Sequence, residues 1–255
     1  MMRPKRIAVL TAALALVALL APPQGVSPSA AAATADSDMM RLAAPEKGKI
    51  KVAFVIGPYA TVIDFTGPWE VFQDVHVEGR GATHDEMMPF ELYTVAETRE
   101  PVEATGGLVI VPDYAFADAP QPDVIVVPAV KKSAAMLDWL RQASAKADIT
   151  MSVCTGAFVV AEAGLLDGKQ ATTHHLFFDR FAERYPKVDL VRGRRFVENA
   201  GISTAGGLTS GIDLALRVVE RYFGTAVAQR TADYMEYQSG GWKSAASVQA
   251  ATRID

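Results

Sequence analysis

The chain has 255 residues, half of them hydrophobic, with one cysteine and a net charge of −4. A single thiol allows neither an internal disulfide nor a Cys₄ or Cys₂His₂ zinc site. The acidic balance, with no run of basic residues, leaves no face for neutralising phosphates, so nucleic-acid binding is not expected.

Residues 1–35 stand apart from the rest. Arg3, Lys5 and Arg6 form a positive start, 7–21 is an uncharged apolar run, and a small-residue stretch ends at Ala33-Thr34-Ala35. That is the layout of a secretory signal peptide. The apolar run is short against the roughly 20 residues a bilayer span needs, although an uncleaved membrane anchor has the same pattern. Cleavage would deepen the net charge from −4 to −7, since three basic and no acidic residues leave. The expected location is therefore periplasmic or secreted, with no membrane association after cleavage. Residues 36–49 read as a polar linker.

From residue 50 apolar runs alternate with helical stretches. A β-branched strand at 50–56 ends at Gly57-Pro58, and a helix over 68–77 follows, Pro68 suiting its first turn. Strands are expected at 90–96 and 108–111, the latter a hairpin-like excursion. Segment 123–127 is a buried strand, 133–147 an amphipathic helix, and 149–153 a second buried strand ending at Cys154. A helix over 155–163, the turn Asp167-Gly168 and a short strand into Thr172-Thr173 come next. A helix over 174–185 stops at Pro186, two short strands flank Gly193, and 202–205 is strand-like before Gly206-Gly207. Helices at 209–223 and 226–238 precede a polar tail, 239–255. The alternation predicts an α/β fold: a three-layer, flavodoxin-like sandwich around a mostly parallel sheet, with one domain over 50–238.

Cys154 sits where a buried strand turns into a helix. A side chain there faces unpaired N–H groups of the first helical turn, which favour a thiolate, and Gly156 relieves crowding in the turn. The competing reading is a buried structural cysteine. Position at the carboxyl end of a central strand, where ligands bind in such sheets, favours function.

Four segments carry a resemblance. They are Ile63-Asp64-Phe65-Thr66-Gly67-Pro68-Trp69-Glu70-Val71-Phe72, then Ser152-Val153-Cys154-Thr155-Gly156-Ala157, then Ala163 to Lys169 with Ala171-Thr172-Thr173-His174, and finally Thr204-Ala205-Gly206-Gly207-Leu208-Thr209-Ser210-Gly211-Ile212-Asp213-Leu214-Ala215-Leu216. In this order they resemble the DJ-1/PfpI superfamily, with its glutamine-amidotransferase-like fold, and within it the isonitrile hydratase branch. The chain is also similar to the ligand domain of some AraC-type regulators. The resemblance implies a nucleophilic Cys154, an acidic partner Asp64 and an assisting Thr155. It implies a homodimer and a small-molecule substrate; no cofactor is expected, and the lack of any metal-ligand spacing predicts no metal. PfpI-type proteases carry a histidine where this chain has Thr155, which argues against a Cys-His dyad.

Around this trio His174, Gly156 and Ala129 are candidate neighbours. Without the family, Asp64 also reads as a turn or helix-cap residue in the loop after the first strand. His174 reads as an acid/base group or a structural histidine at a helix start. Ala129-Val130 replace the branch's usual Gly-Gly, where a turn needing positive φ would be strained. Lys131 and Lys132 line a pocket mouth or are solvated. Gly206-Gly207 is an anion cradle or a tight turn capped by Thr209, Asp213 makes a structural hydrogen bond or faces a second subunit, and His76 and His84 read as isolated surface residues. Two functions follow: an enzyme adding water to a small electrophilic carbon, as isonitrile hydratases do, or a non-enzymatic module for ligand binding or thiol redox sensing.

Overall fold

The computed structural model describes residues 41–243. Residues 1–40, with the segment read as a signal peptide, and 244–255 lie outside the described residues. A seven-stranded sheet forms the middle layer. In chain order its strands are β1 (Ile50–Val55), β2 (Phe90–Ala96), β5 (Tyr114–Ala115), β6 (Val124–Val127), β7 (Ile149–Ser152), β10 (Phe196–Glu198) and β11 (Ile202–Ala205). Their spatial order is β10-β11-β7-β6-β1-β2-β5, and every pairing is parallel except β10 with β11. Among the described residues four further strands, each of two residues, lie outside this layer. Of these β3 (Val102–Glu103) and β4 (Val109–Ile110) form the expected hairpin excursion, and β8 (Gln170–Ala171) pairs with β9 (Asp189–Leu190).

The central strands are apolar on both faces because both are covered. Ile50, Val52 and Phe54 of β1 enter one core while Ala53 and Val55 enter the other, the alternation a pleated strand imposes. The first core lies under α1 (Val62–Gln73), α6 (Ser210–Phe223) and α7 (Thr225–Tyr234). The second lies under α3 (Ala134–Ser144), α4 (Gly156–Glu162) and α5 (Phe178–Arg184). This is the flavodoxin-like α/β sandwich. Among the described residues no helix is long and apolar enough to cross a membrane.

Several expectations are corrected. Helix α1 starts at Val62, not Pro68, so Pro68 lies inside it. Pro68 has no N–H to give the carbonyl four residues back, so one hydrogen bond of the helix is not made there. Asp64 therefore belongs to a helical turn rather than a loop. The stretch 174–185 is a 3₁₀ turn, His175–Phe177, followed by α5. Thr209 does not cap α6 with its side chain; its hydroxyl accepts from Arg195 Nη2 at 3.3 Å. Helix α7 ends at Tyr234. A short helix, α2 (His84–Met87), held by a Thr83–Glu86 capping box, has no counterpart among the expected elements. It carries His84 onto His76, ring centroids 5.6 Å apart, so these histidines are neither isolated nor separate. Within the stretches read as linker and tail, Leu42 and Ala44 pack on the first core and Trp242 is wholly buried in it.

Candidate active site

Strand β7 delivers Cys154 to the carboxyl edge of the sheet, and the backbone reverses there. Cys154 has φ of 58°, a left-handed conformation that costs a non-glycine residue energy. Neighbouring strands hold it in place. Its N–H donates to Gly206 O at 2.8 Å, and Thr173 Oγ1 donates to its carbonyl at 2.9 Å. Gly156 must be glycine: a Cβ there would stand 2.2 Å from Val127 O and 2.8 Å from Pro128 O. The turn is thus a strained strand-to-helix elbow pressed against the end of β6.

Asp64 reaches the elbow from the first turn of α1. It is fully buried, and its Oδ2 accepts from Ala129 N–H at 3.1 Å. Ala129 is fixed from the other side by Thr61 N–H, which donates to its carbonyl at 2.8 Å. Neither Ala129 nor Val130 has positive φ, so the strain expected of this turn does not arise. The alanine N–H points at Asp64 and works as a carboxylate anchor. Asp64 Oδ1 is buried and, among the described residues, has no partner of regular hydrogen-bond geometry. Apart from Ala129, the carboxylate gains only a contact from the Cys154 thiol, a weak donor.

Burial pushes the Asp64 carboxyl up to about 6, against the lowering effect of Ala129 and the thiol. Cys154 is 7% exposed, and burial, then the charge of Asp64, push its thiol up to about 11. This reverses the lowered thiol pKa expected from the helix start. The expected donor Thr155 offers its N–H and hydroxyl, Leu208 adds its N–H, and all three act to lower the thiol. Desolvation and the adjacent carboxylate outweigh them. The two groups titrate as a pair, with the carboxyl ionised and the sulfur protonated near neutrality.

Leu208 is the site residue that sequence reasoning missed. It has φ of 53° and follows Gly206-Gly207, the turn read as an anion cradle. The cradle exists, and its ligand is the thiol of the chain itself. His174 packs against this turn. A Cβ on Gly207 would meet His174 Cδ2 at 2.3 Å. His174 Nδ1 accepts from Leu176 N–H at 3.3 Å, which leaves Nε2 to carry the proton of the neutral ring. Burial and then the neighbouring His175 lower its pKa. Asp213 accepts from Arg195 and from Ser239 Oγ, the latter at 3.1 Å.

A cleft of about 450 Å³ opens beside the elbow, lined among others by Val130, Lys131, Lys132, Thr155, Phe177 and Arg180. A second cavity of about 350 Å³, holding His76 and His84, lies at the opposite end of α1 from Asp64. Among the described residues no three His, Cys, Asp or Glu side chains converge as metal ligands.

The fold is an α/β sandwich that presents, at the carboxyl edge of its sheet, a buried cysteine on a strained strand-to-helix turn beside a carboxyl and N–H and O–H donors. The chain belongs to the DJ-1/PfpI family, whose profile matches residues 50–221. It is 31% identical to an isonitrile hydratase of Pseudomonas putida over 195 residues, 74% of this chain and 78% of that one. It is also 31% identical over 138 residues to the HTH-type transcriptional regulator CdhR of Pseudomonas aeruginosa, covering 52% of this chain but only 41% of the regulator. Among solved structures, a ThiJ/PfpI family protein from Pseudomonas syringae superposes with a TM-score of 0.66 at 26% identity, covering 85% of this chain and 84% of its own. Drosophila melanogaster DJ-1beta shares the fold, with a TM-score of 0.63 at 18% identity over 75% of this chain and all of that one.

Proposed function

We propose that the protein is a hydratase of small electrophilic carbon compounds, with isonitriles as its substrate class. The observation that carries this reading is the buried Asp64–Cys154 pair under three N–H or O–H donors. A thiol near 11 is a poor nucleophile alone, but a carboxylate in contact with it can take its proton as sulfur attacks. Once Asp64 is protonated it no longer repels the sulfur, and Thr155 and Leu208 stabilise the charge that forms there.

The steps balance. Sulfur bonds to the terminal carbon of R–N≡C, and the proton held by Asp64 passes to that carbon, giving a thioimidate, R–N=CH–S–Cys154. Water then adds across the C=N bond, its hydroxyl to carbon and its proton to nitrogen. The C–S bond breaks, sulfur recovers a proton from the hydroxyl through Asp64, and R–NH–CHO leaves. Likeness to the P. putida enzyme supports the substrate class, and fold alone would not. The basic, apolar and small-residue pattern of 1–35 supports export of this activity. Peroxide sensing is the weaker reading, since peroxide reacts with thiolate and this thiol is held protonated.

Incubation with benzyl isocyanide, with N-benzylformamide followed by mass-detected chromatography, tests the proposal. Turnover by the intact chain should fall by at least about a hundredfold in Cys154→Ser. Formamide no faster than without protein, or full turnover in Cys154→Ser, would refute it.

A further inference from the structure

The cleft beside Thr155 is cationic in a chain that is acidic overall. Lys131, Lys132, Arg180 and Arg184 all line it, and no carboxylate does. One nearby acid, Glu162, sits behind two of the four, binding Lys132 at 2.8 Å and Arg184 at 2.9 Å. Lys132, the Tyr185 hydroxyl and Arg184 hold Glu162 down to about 2, so that this arrangement stays ionised throughout the neutral range. Lys131 and Arg180 make no ion pair among the described residues. The floor between the cations is aromatic, Phe158 against Phe177 edge-to-face with centroids 6.3 Å apart. The inner wall is Thr155, the residue whose N–H and hydroxyl also face the Cys154 sulfur.

From this layout we infer that the substrate carries an anionic group, a carboxylate, on an apolar or aromatic body. The reactive carbon lies at Thr155 and Cys154, the body rests on Phe158 and Phe177, and the carboxylate takes Lys131 and Arg180 at the outer end. The inference rests on the hydratase reading for the identity of the reacting carbon, but the anion site stands on its own geometry. A carboxylate at the inner end would meet Asp64, so the charges also set the direction in which a substrate enters. The unpaired cations add a long-range pull on anions that salt would screen. A cleft of this size suits a single small aromatic acid.

Benzoate and benzamide differ mainly in charge, and their binding to the full chain can be compared by calorimetry. Benzoate is expected to bind at least about tenfold tighter than benzamide, which corresponds to one or two charge-assisted contacts. That preference should disappear in Lys131→Gln/Arg180→Gln, whose far-UV circular dichroism should match the parent. Benzoate should also slow alkylation of Cys154 by iodoacetamide, a readout made unambiguous by the single cysteine. Equal binding of the two probes, a preference that survives the double substitution, or no protection of Cys154 would overturn the anion site. The hydratase reading fails separately: benzoate preference without isonitrile turnover upholds this site and removes that reaction, while turnover of neutral isonitriles without benzoate preference does the reverse.

Discussion

At the scale of single residues, the chemistry depends on a buried carboxylate whose charge opposes ionisation of the thiol beside it, while the protonated thiol lends that carboxylate a weak hydrogen bond. Asp64 is held near 6 and Cys154 near 11 chiefly by burial, and the charge of Asp64 is the next largest cause for the thiol. The sign of a test follows. Asp64→Asn removes a negative charge that raises the thiol, so the thiol pKa must fall. At pH 8 more thiolate is then present, and alkylation by iodoacetamide should speed up about tenfold for each unit of pKa lost. Isonitrile turnover should change in the opposite direction, falling by about a hundredfold or more because no base remains to move the proton. In the parent, turnover should decline as pH drops through about 6, where the carboxylate takes up its proton. Alkylation-rate profiles from pH 5 to 11, beside turnover over the same range, check both arms. Slower alkylation in Asp64→Asn would show that the carboxylate activates the resting thiol instead of suppressing it.

At the scale of elements, the site is where three backbone turns meet, and each is legible in the sequence to a different degree. The β7 elbow was plain: an apolar strand, then Cys154-Thr155-Gly156, leaves little else for the chain to do. The carboxylate was legible as a residue but not as a position. Gly67-Pro68 reads as a helix start, and only tertiary packing carries α1 back to Val62 and turns Asp64 inward. The pKa was misread because a helix-start dipole is a local feature, while burial depends on the whole fold. The third turn, Gly206-Gly207-Leu208, was visible as glycines, and its donor, on a leucine at positive φ, was not. Its support by His174 gives a coupled test. Gly207→Ala drives a methyl into the His174 ring, 2.3 Å from Cδ2, and should cost about 1–3 kcal/mol. His174→Ala removes the obstacle, so adding it to Gly207→Ala should recover most of that loss. A double-mutant cycle of denaturant unfolding measures the coupling, and simple additivity would separate the histidine from the turn.

At the scale of the whole molecule, the sheet separates two cores, and the chain closes the first of them with its C-terminal stretch. After α7 ends, Gly241 N–H donates to Ser239 Oγ at 3.2 Å, and the same hydroxyl donates to buried Asp213. Asp213 holds Arg195, and Arg195 reaches the Thr209 hydroxyl next to Leu208. Trp242 anchors this strap, fully buried in the core shared by α1, α6 and α7, so a stretch with the composition of a polar tail is pinned by one large side chain. Among the described residues its buried indole Nε1 has no hydrogen-bond partner, so the anchor is held by packing, with Lys243 Nζ over the ring at 5.4 Å from its centroid. Two substitutions then separate. Trp242→Ala should lower stability by about 3–5 kcal/mol, the usual cost of emptying a large aromatic site. Trp242→Phe keeps most of the volume and loses no hydrogen bond, so it should cost clearly less than half as much. Urea midpoints at fixed protein concentration compare the two. Equal losses in both would mean that the indole N–H has a partner and that the strap is held by it.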